Sequence, residues 1–121
     1  MREPDMQKLD ALVGRLVGDV GAAMSGALVV LGDKVGIFKA MADGAPMSVQ
    51  DLAKKTGIKE RYLREWLSAQ AAADYVAYDE KTDRFSLTPE QAMVFAEDNS
   101  PAFFVGAFEV VQSMWMDEPK V

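Results

Sequence analysis

A chain of 121 residues, half of them apolar and with a formal net charge of −6, can be served by one hydrophobic core. It has no cysteine and no histidine, which excludes disulfides, thiolate and imidazole metal sites and conventional catalytic triads. The start Met1-Arg2-Glu3-Pro4-Asp5 lacks the basic-then-apolar layout of a signal peptide, and no uninterrupted apolar run reaches the ~20 residues of a membrane span, so a single cytoplasmic domain that avoids the membrane is expected.

Residues 5–42 form an N-terminal helical segment interrupted by Gly14, Gly18, Gly21, Gly26, Gly32 and Gly36. Each glycine would weaken a solvent-exposed helix by roughly 1 kcal/mol against alanine. Two readings stand side by side. The helix breaks near Gly18 to Gly21 and again near Gly32-Asp33, or the small residues of Gly14-x-x-x-Gly18 and Gly18-x-x-Gly21-Ala22-Ala23 admit another helix at close range. The run from Ala22 to Leu31 is apolar nearly all round and must be buried on most sides. In so short a chain the other helices cover only part of it, and a partner chain or partner domain is expected to cover the rest.

Ser48 precedes Val49-Gln50-Asp51-Leu52-Ala53-Lys54-Lys55-Thr56, with an acid at the third position, and reads as an N-cap close to a capping box. Val49, Leu52 and Ala53 fall on one face, and Gly57 ends the helix. Ile58 plugs the turn. Helical periodicity then resumes from Lys59 to Ala73 through Tyr62, Leu63, Trp66, Leu67 and Gln70, giving a helix-turn-helix. The runs Tyr75-Val76-Ala77-Tyr78 and Arg84-Phe85-Ser86-Leu87 flank a polar turn at 79–83 and predict a two-stranded hairpin, the wing. Leu52, Ile58, Leu63, Trp66, Leu67, Val76 and Leu87 are the expected core.

Thr88-Pro89-Glu90-Gln91 predicts a capped helix to about Ala96. Ser100-Pro101 repeats the signal ahead of a last helix from Ala102 to Met116. The fold class expected is mainly α: a winged helix-turn-helix over 48–87 with a small β-hairpin, preceded by dimerisation-type helices over 5–42 and followed by C-terminal helices over 89–117.

A winged helix that reads DNA lays its second helix in the major groove with basic phosphate contacts around it. Between Ser48 and Leu87, seven Lys and Arg are balanced by seven Asp and Glu. Glu60 and Glu65 lie on the reading helix itself, whereas a nucleic-acid reader normally shows a basic face. Lys59, Arg61 and Arg64 are the candidate DNA contacts, with Lys55 nearby, and DNA is the less favoured partner.

The run from Leu31 to Ala42, then Leu52-Ala53-Lys54-Lys55-Thr56-Gly57, then Arg61-Tyr62-Leu63-Arg64-Glu65-Trp66-Leu67 with the small-residue tail to Ala73, and later Ser100-Pro101-Ala102-Phe103, together resemble one family. It is the N-terminal winged-helix domain of a bacterial S-adenosylmethionine-dependent methyltransferase family. The resemblance covers nearly the whole chain. It implies a domain that dimerises through its N-terminal helices and roofs the small-molecule substrate site of a catalytic domain in cis.

A methyltransferase of this kind holds its cofactor on a Rossmann-like sheet with a glycine-rich first turn. Gly14-x-x-x-Gly18 and Gly32-x-x-x-Gly36 lie in helical context, so neither is a cofactor loop, and the catalytic domain is absent. The chain reads as an amino-terminal fragment or stand-alone relative that binds no cofactor itself, with S-adenosylmethionine implied only for the parent. No catalytic and no metal-binding residues are expected. Phe103, Phe104, Phe108, Met114 and Trp115 are the candidates for apolar pocket walls. The alternative is a free-standing winged-helix regulator that binds DNA or protein.

Overall fold

The computed structural model describes residues 2–117, with side chains through Trp115. Residues 1 and 118–121 lie outside them. Asp5 caps the first helix, α1 (Met6–Lys34), by accepting from the backbone N–H of Gln7 and Lys8. The helix is continuous over 29 residues, about 43 Å at 1.5 Å per residue. The break expected at Gly18 to Gly21 does not occur. Gly14, Gly18 and Gly21 also have no neighbour within 4 Å of a would-be Cβ, so the close contact expected there is not made among the described residues.

The interruption comes instead at Val35-Gly36, where Gly36 takes φ 81°, a left-handed conformation that costs glycine nothing. Beyond it a single turn, α2 (Ile37–Ala40), drives Ile37 and Phe38 into the core. Helix α3 (Val49–Thr56) begins with a complete capping box, because Ser48 accepts from the Asp51 N–H and the Asp51 carboxylate accepts from the Ser48 N–H. It ends at Gly57 in the left-handed region. Helix α4 (Glu60–Ala72) buries Leu63, Trp66, Leu67 and Gln70.

The wing pairs β1 (Ala77–Asp79) with β2 (Arg84–Ser86) antiparallel, Tyr78 opposite Phe85. The first strand lacks Tyr75 and Val76 of the expected run but takes in Asp79, which was expected in the turn, and the second lacks Leu87. Phe85 also exchanges backbone hydrogen bonds with Met47 at 2.8 Å in both directions, so the segment before α3 is pinned to the wing. A second capping box, Thr88 with Gln91, opens α5 (Pro89–Phe95) with proline at its start.

The last helix, α6 (Val105–Asp117), starts three residues later than Ser100-Pro101 predicts. Ser100 Oγ accepts from the Ala102 N–H and the Ser100 carbonyl from the Phe103 N–H, so the serine closes a turn instead of opening a helix. Phe103 and Phe104 therefore precede α6 and do not lie on it.

The core forms where α2, α3, α4, α5 and the wing meet the C-terminal third of α1. Phe38 stands at its centre, edge-on to Trp66 at 5.1 Å and stacked on Phe95 at 4.9 Å. The expected core residues are buried, with Ile58 half-buried at the margin. Only Val29, Val30 and Gly32 of α1 are buried. Every residue from Arg2 to Met24 is exposed, whereas the apolar run from Ala22 to Leu31 is covered in part, with Ser25, Gly26 and Leu28 half-buried and Val29 and Val30 buried.

Candidate functional site

Two surfaces can be built from the residues upward. The first is the outer face of α4 with the wing, where a nucleic acid would lie. Arg64 projects from α4 to Asp83 in the wing turn through a two-pronged ion pair, 3.0 and 3.3 Å, and the Tyr78 hydroxyl donates to the same carboxylate at 2.9 Å. The Arg64 and Tyr78 hydrogen bonds hold the Asp83 carboxyl below its ordinary range, and the Asp83 partnership raises the Tyr78 phenol. Asp83 reaches this position with φ 52°, a left-handed conformation that aspartate tolerates better than most residues.

Lys55 is committed too, donating to the Ala40 carbonyl at 2.7 Å, at the end of α2. Arg84 faces Asp51 at 3.7 Å. Of the basic residues singled out on this face, Arg61 and Arg64 share their shallow depression with Glu60 and Glu65, and Lys59 serves as the N-cap position of α4 without a side-chain cap bond. The face is mixed in sign and its best-placed guanidinium is already paired with an acid.

The second surface is a groove between α1 and α6. Its cavity is about 520 Å³, lined by Ala22, Ala23, Gly26 and Ala27 from α1 and by Phe108, Val111, Gln112 and Trp115 from α6. Small side chains make the floor and aromatic ones the wall. Gly26 admits Phe108, since a methyl group there would stand 3.2 Å from Phe108 Cδ1. Gln112 adds an amide to the lining.

Of the five pocket candidates named from sequence, the structure brings Phe108 and Trp115 into this groove. Phe104 stays outside the lining, 6.1 Å from Phe108 edge to face, Phe103 packs half-buried against the core, and Met114 is exposed. Sequence reasoning missed the floor, whose signal was the small-residue run Ala22-Ala23 and Gly26-Ala27, and the polar Gln112. Among the described residues no cluster of acids could hold a metal ion.

Beyond the groove, α1 continues as a bare helix carrying Met6, Leu9, Leu12, Val13, Leu16, Val17 and Val20, all exposed. By length and composition α1 is apolar enough to cross a membrane, which a search for uninterrupted apolar runs does not detect because scattered charges and glycines divide it. Its section around Leu28 to Gly32 is instead built into the domain, where the Trp66 Nε1–H donates to the Leu28 carbonyl at 2.8 Å.

Residues 23–97, the helix-turn-helix, the wing and the helices on either side, match the Rv2258c-like winged helix-turn-helix domain family. This chain belongs to that family. Its fold is also similar to solved methyltransferase structures. A candidate O-methyltransferase from Nostoc punctiforme superposes with a TM-score of 0.70 at 20% identity, over 87% of this chain and 31% of the other. An O-methyltransferase family protein from Burkholderia thailandensis gives 0.66 at 15% identity, over 99% and 32%. CalO1, a methyltransferase of calicheamicin biosynthesis in its SAH-bound form, gives 0.60 at 26% identity, over 81% and 27%. The winged-helix chain thus spans about a third or less of each of those structures. No curated protein matches it.

Proposed function

We propose that this chain is the dimerisation and substrate-capping domain of an S-adenosylmethionine-dependent methyltransferase, without catalytic competence of its own. The observation that carries the proposal is the apolar groove between α1 and α6, adjoining a helix half that the rest of the chain leaves bare. In this reading Phe108 and Trp115 form walls for a small apolar substrate and Gln112 offers it one hydrogen-bonding group. Phe104 and Met114, both exposed, face a catalytic domain in cis.

The cofactor would deliver its methyl group from that catalytic domain. Among the described residues the two strands are those of the wing, with no strand-turn-helix to cradle a nucleoside, so the cofactor does not fit this chain and no step of the transfer is assigned to its residues. Titration calorimetry with S-adenosylmethionine tests the division of labour: no heat is expected from this chain, and saturable binding would overturn it. Sedimentation tests the dimer, and a monomer at high micromolar concentration would count against it.

The winged-helix geometry favours a second reading, a regulator that binds duplex DNA. It requires binding that weakens steeply with salt and is abolished by charge reversal at Arg61 and Arg64. The pairing of Arg64 with Asp83 makes it the weaker reading.

A further inference from the structure

We infer that two copies of this chain pair antiparallel through the apolar stripe of α1, in a register that sets Met6 of each copy against Ala23 of the other. The inference rests on the dimer proposed above and specifies its face, polarity and register.

The face follows from spacing. Met6, Leu9, Val13, Leu16, Val20, Ala23, Ala27 and Val30 occupy successive first and fourth positions of a seven-residue repeat, the pattern of a helix that packs along another helix. Val30 is buried within the chain, whereas the stripe from Met6 to Val20 is open, with Leu16 53% and Val20 61% exposed. Leu12 and Val17 flank it and widen it, and both are exposed. At 3.6 residues per turn, Gly14, Gly18 and Gly21 point to the far side of the helix. The glycines mark the outside of the pair and do not form its contact.

Polarity follows from charge and bulk. A parallel pair would set opposite flanks against each other and so keep Lys8 and Asp19, which share one flank, from meeting across the seam. It would also bring together the two domain bodies, which enclose α1 around Val29 to Gly32. An antiparallel pair places the bodies at opposite ends. Lys8 and Asp19 lie on the same flank of the stripe, and same flanks face each other when the helices run in opposite directions, so each lysine reaches the other copy's aspartate.

Register follows from size. With the pair centred between Gly14 and Arg15, the layers are Met6 on Ala23, Leu9 on Val20 and Val13 on Leu16, a long side chain meeting a small one at each end. Ala23 is also part of the groove floor. The second copy's first turn therefore lies along the rim of the α1–α6 groove and completes a wall that one chain leaves open.

The absence of native cysteine allows a direct test in the full chain. Met6→Cys and Ala23→Cys proteins are mixed, unfolded, refolded together and mildly oxidised. A disulfide between the two different chains, formed only in the mixture, is the expected result. Met6→Cys cross-linking to itself would overturn the polarity and register while leaving a dimer in place. A wild-type chain that sediments as a monomer would overturn the dimer itself, and binding of that monomer to phosphatidylcholine–phosphatidylglycerol vesicles would assign the stripe to a lipid surface. The triple change Gly14→Ala, Gly18→Ala and Gly21→Ala is expected to leave the dimer intact, and its loss in that variant would move the interface to the glycine face and overturn the inference.

Discussion

The indole of Trp66 occupies the space that a side chain at Gly32 would fill. A Cβ at position 32 would stand 2.8 Å from Trp66 Cε2 and closer still to Cζ2, and this approach is what lets the Trp66 Nε1–H reach the Leu28 carbonyl. The contact ties the helix-turn-helix to α1 and so sets how far α1 projects from the body. Gly32→Ala should displace a rigid ring, at a cost of about 1–3 kcal/mol, whereas Gly14→Ala, on an open helix face, should stabilise by about 0.4–1 kcal/mol. Urea denaturation of the two variants should therefore show midpoints moved in opposite directions.

Removing the ring altogether tests the same contact from its other side. Trp66 is 5% exposed and touches Phe38 edge-on. Trp66→Ala should cost about 3–5 kcal/mol by lost burial and the cavity left behind. Unchanged thermal stability in that variant would mean that α1 is not anchored through Trp66.

Gln70 is fully buried among core residues of α4, and neither its amide nitrogen nor its amide oxygen has a hydrogen-bond partner among the described residues. A buried, unpaired polar group costs about 1–3 kcal/mol. Gln70→Met, similar in length and flexible enough to fill the same space, should raise the melting temperature in calorimetry. A fall would show that the amide is satisfied in solution, by an ordered water for example.

The wing cluster gives a pH dependence with a definite sign. Asp83 has its carboxyl lowered first by the Arg64 hydrogen bond and then by that of Tyr78. A group with a depressed folded value contributes stability above its unfolded value, about 3.9 for aspartate, and loses it as pH falls through the folded value. Tyr78, raised chiefly by its bond to Asp83, behaves oppositely: its contribution is complete below about 10 and is lost as pH rises through the folded value. Carboxyl-carbon NMR should find Asp83 titrating below the ordinary aspartate range, and Arg64→Ala should move that midpoint upward. The groups are exposed, so the effect on global stability is small.

Much of the fold was legible along the chain. Both capping boxes, Ser48 with Asp51 and Thr88 with Gln91, could be read because their partners are three residues apart and their bonds are local. The hairpin and the inner face of α4 followed from periods of two and 3.6. Ser100-Pro101 misled because the same serine that caps a helix also closes a turn. The glycines of α1 misled because the penalty of each is about 1 kcal/mol, too little to break a long helix anchored at its C-terminal end.

The sequence by itself therefore determined the winged-helix class, the caps, the absence of histidine and cysteine chemistry, and an apolar excess that one chain does not bury. Those properties reside in composition and in residues a turn or two apart. Only the tertiary structure decided that Arg64 is spent on Asp83 and Lys55 on Ala40, that Trp66 closes on Gly32, and that α6 folds back on α1 to make a groove from Ala22, Ala23, Gly26 and Ala27. Each of these joins residues 15 or more positions apart, and their meeting depends on how whole helices pack, which no local period records.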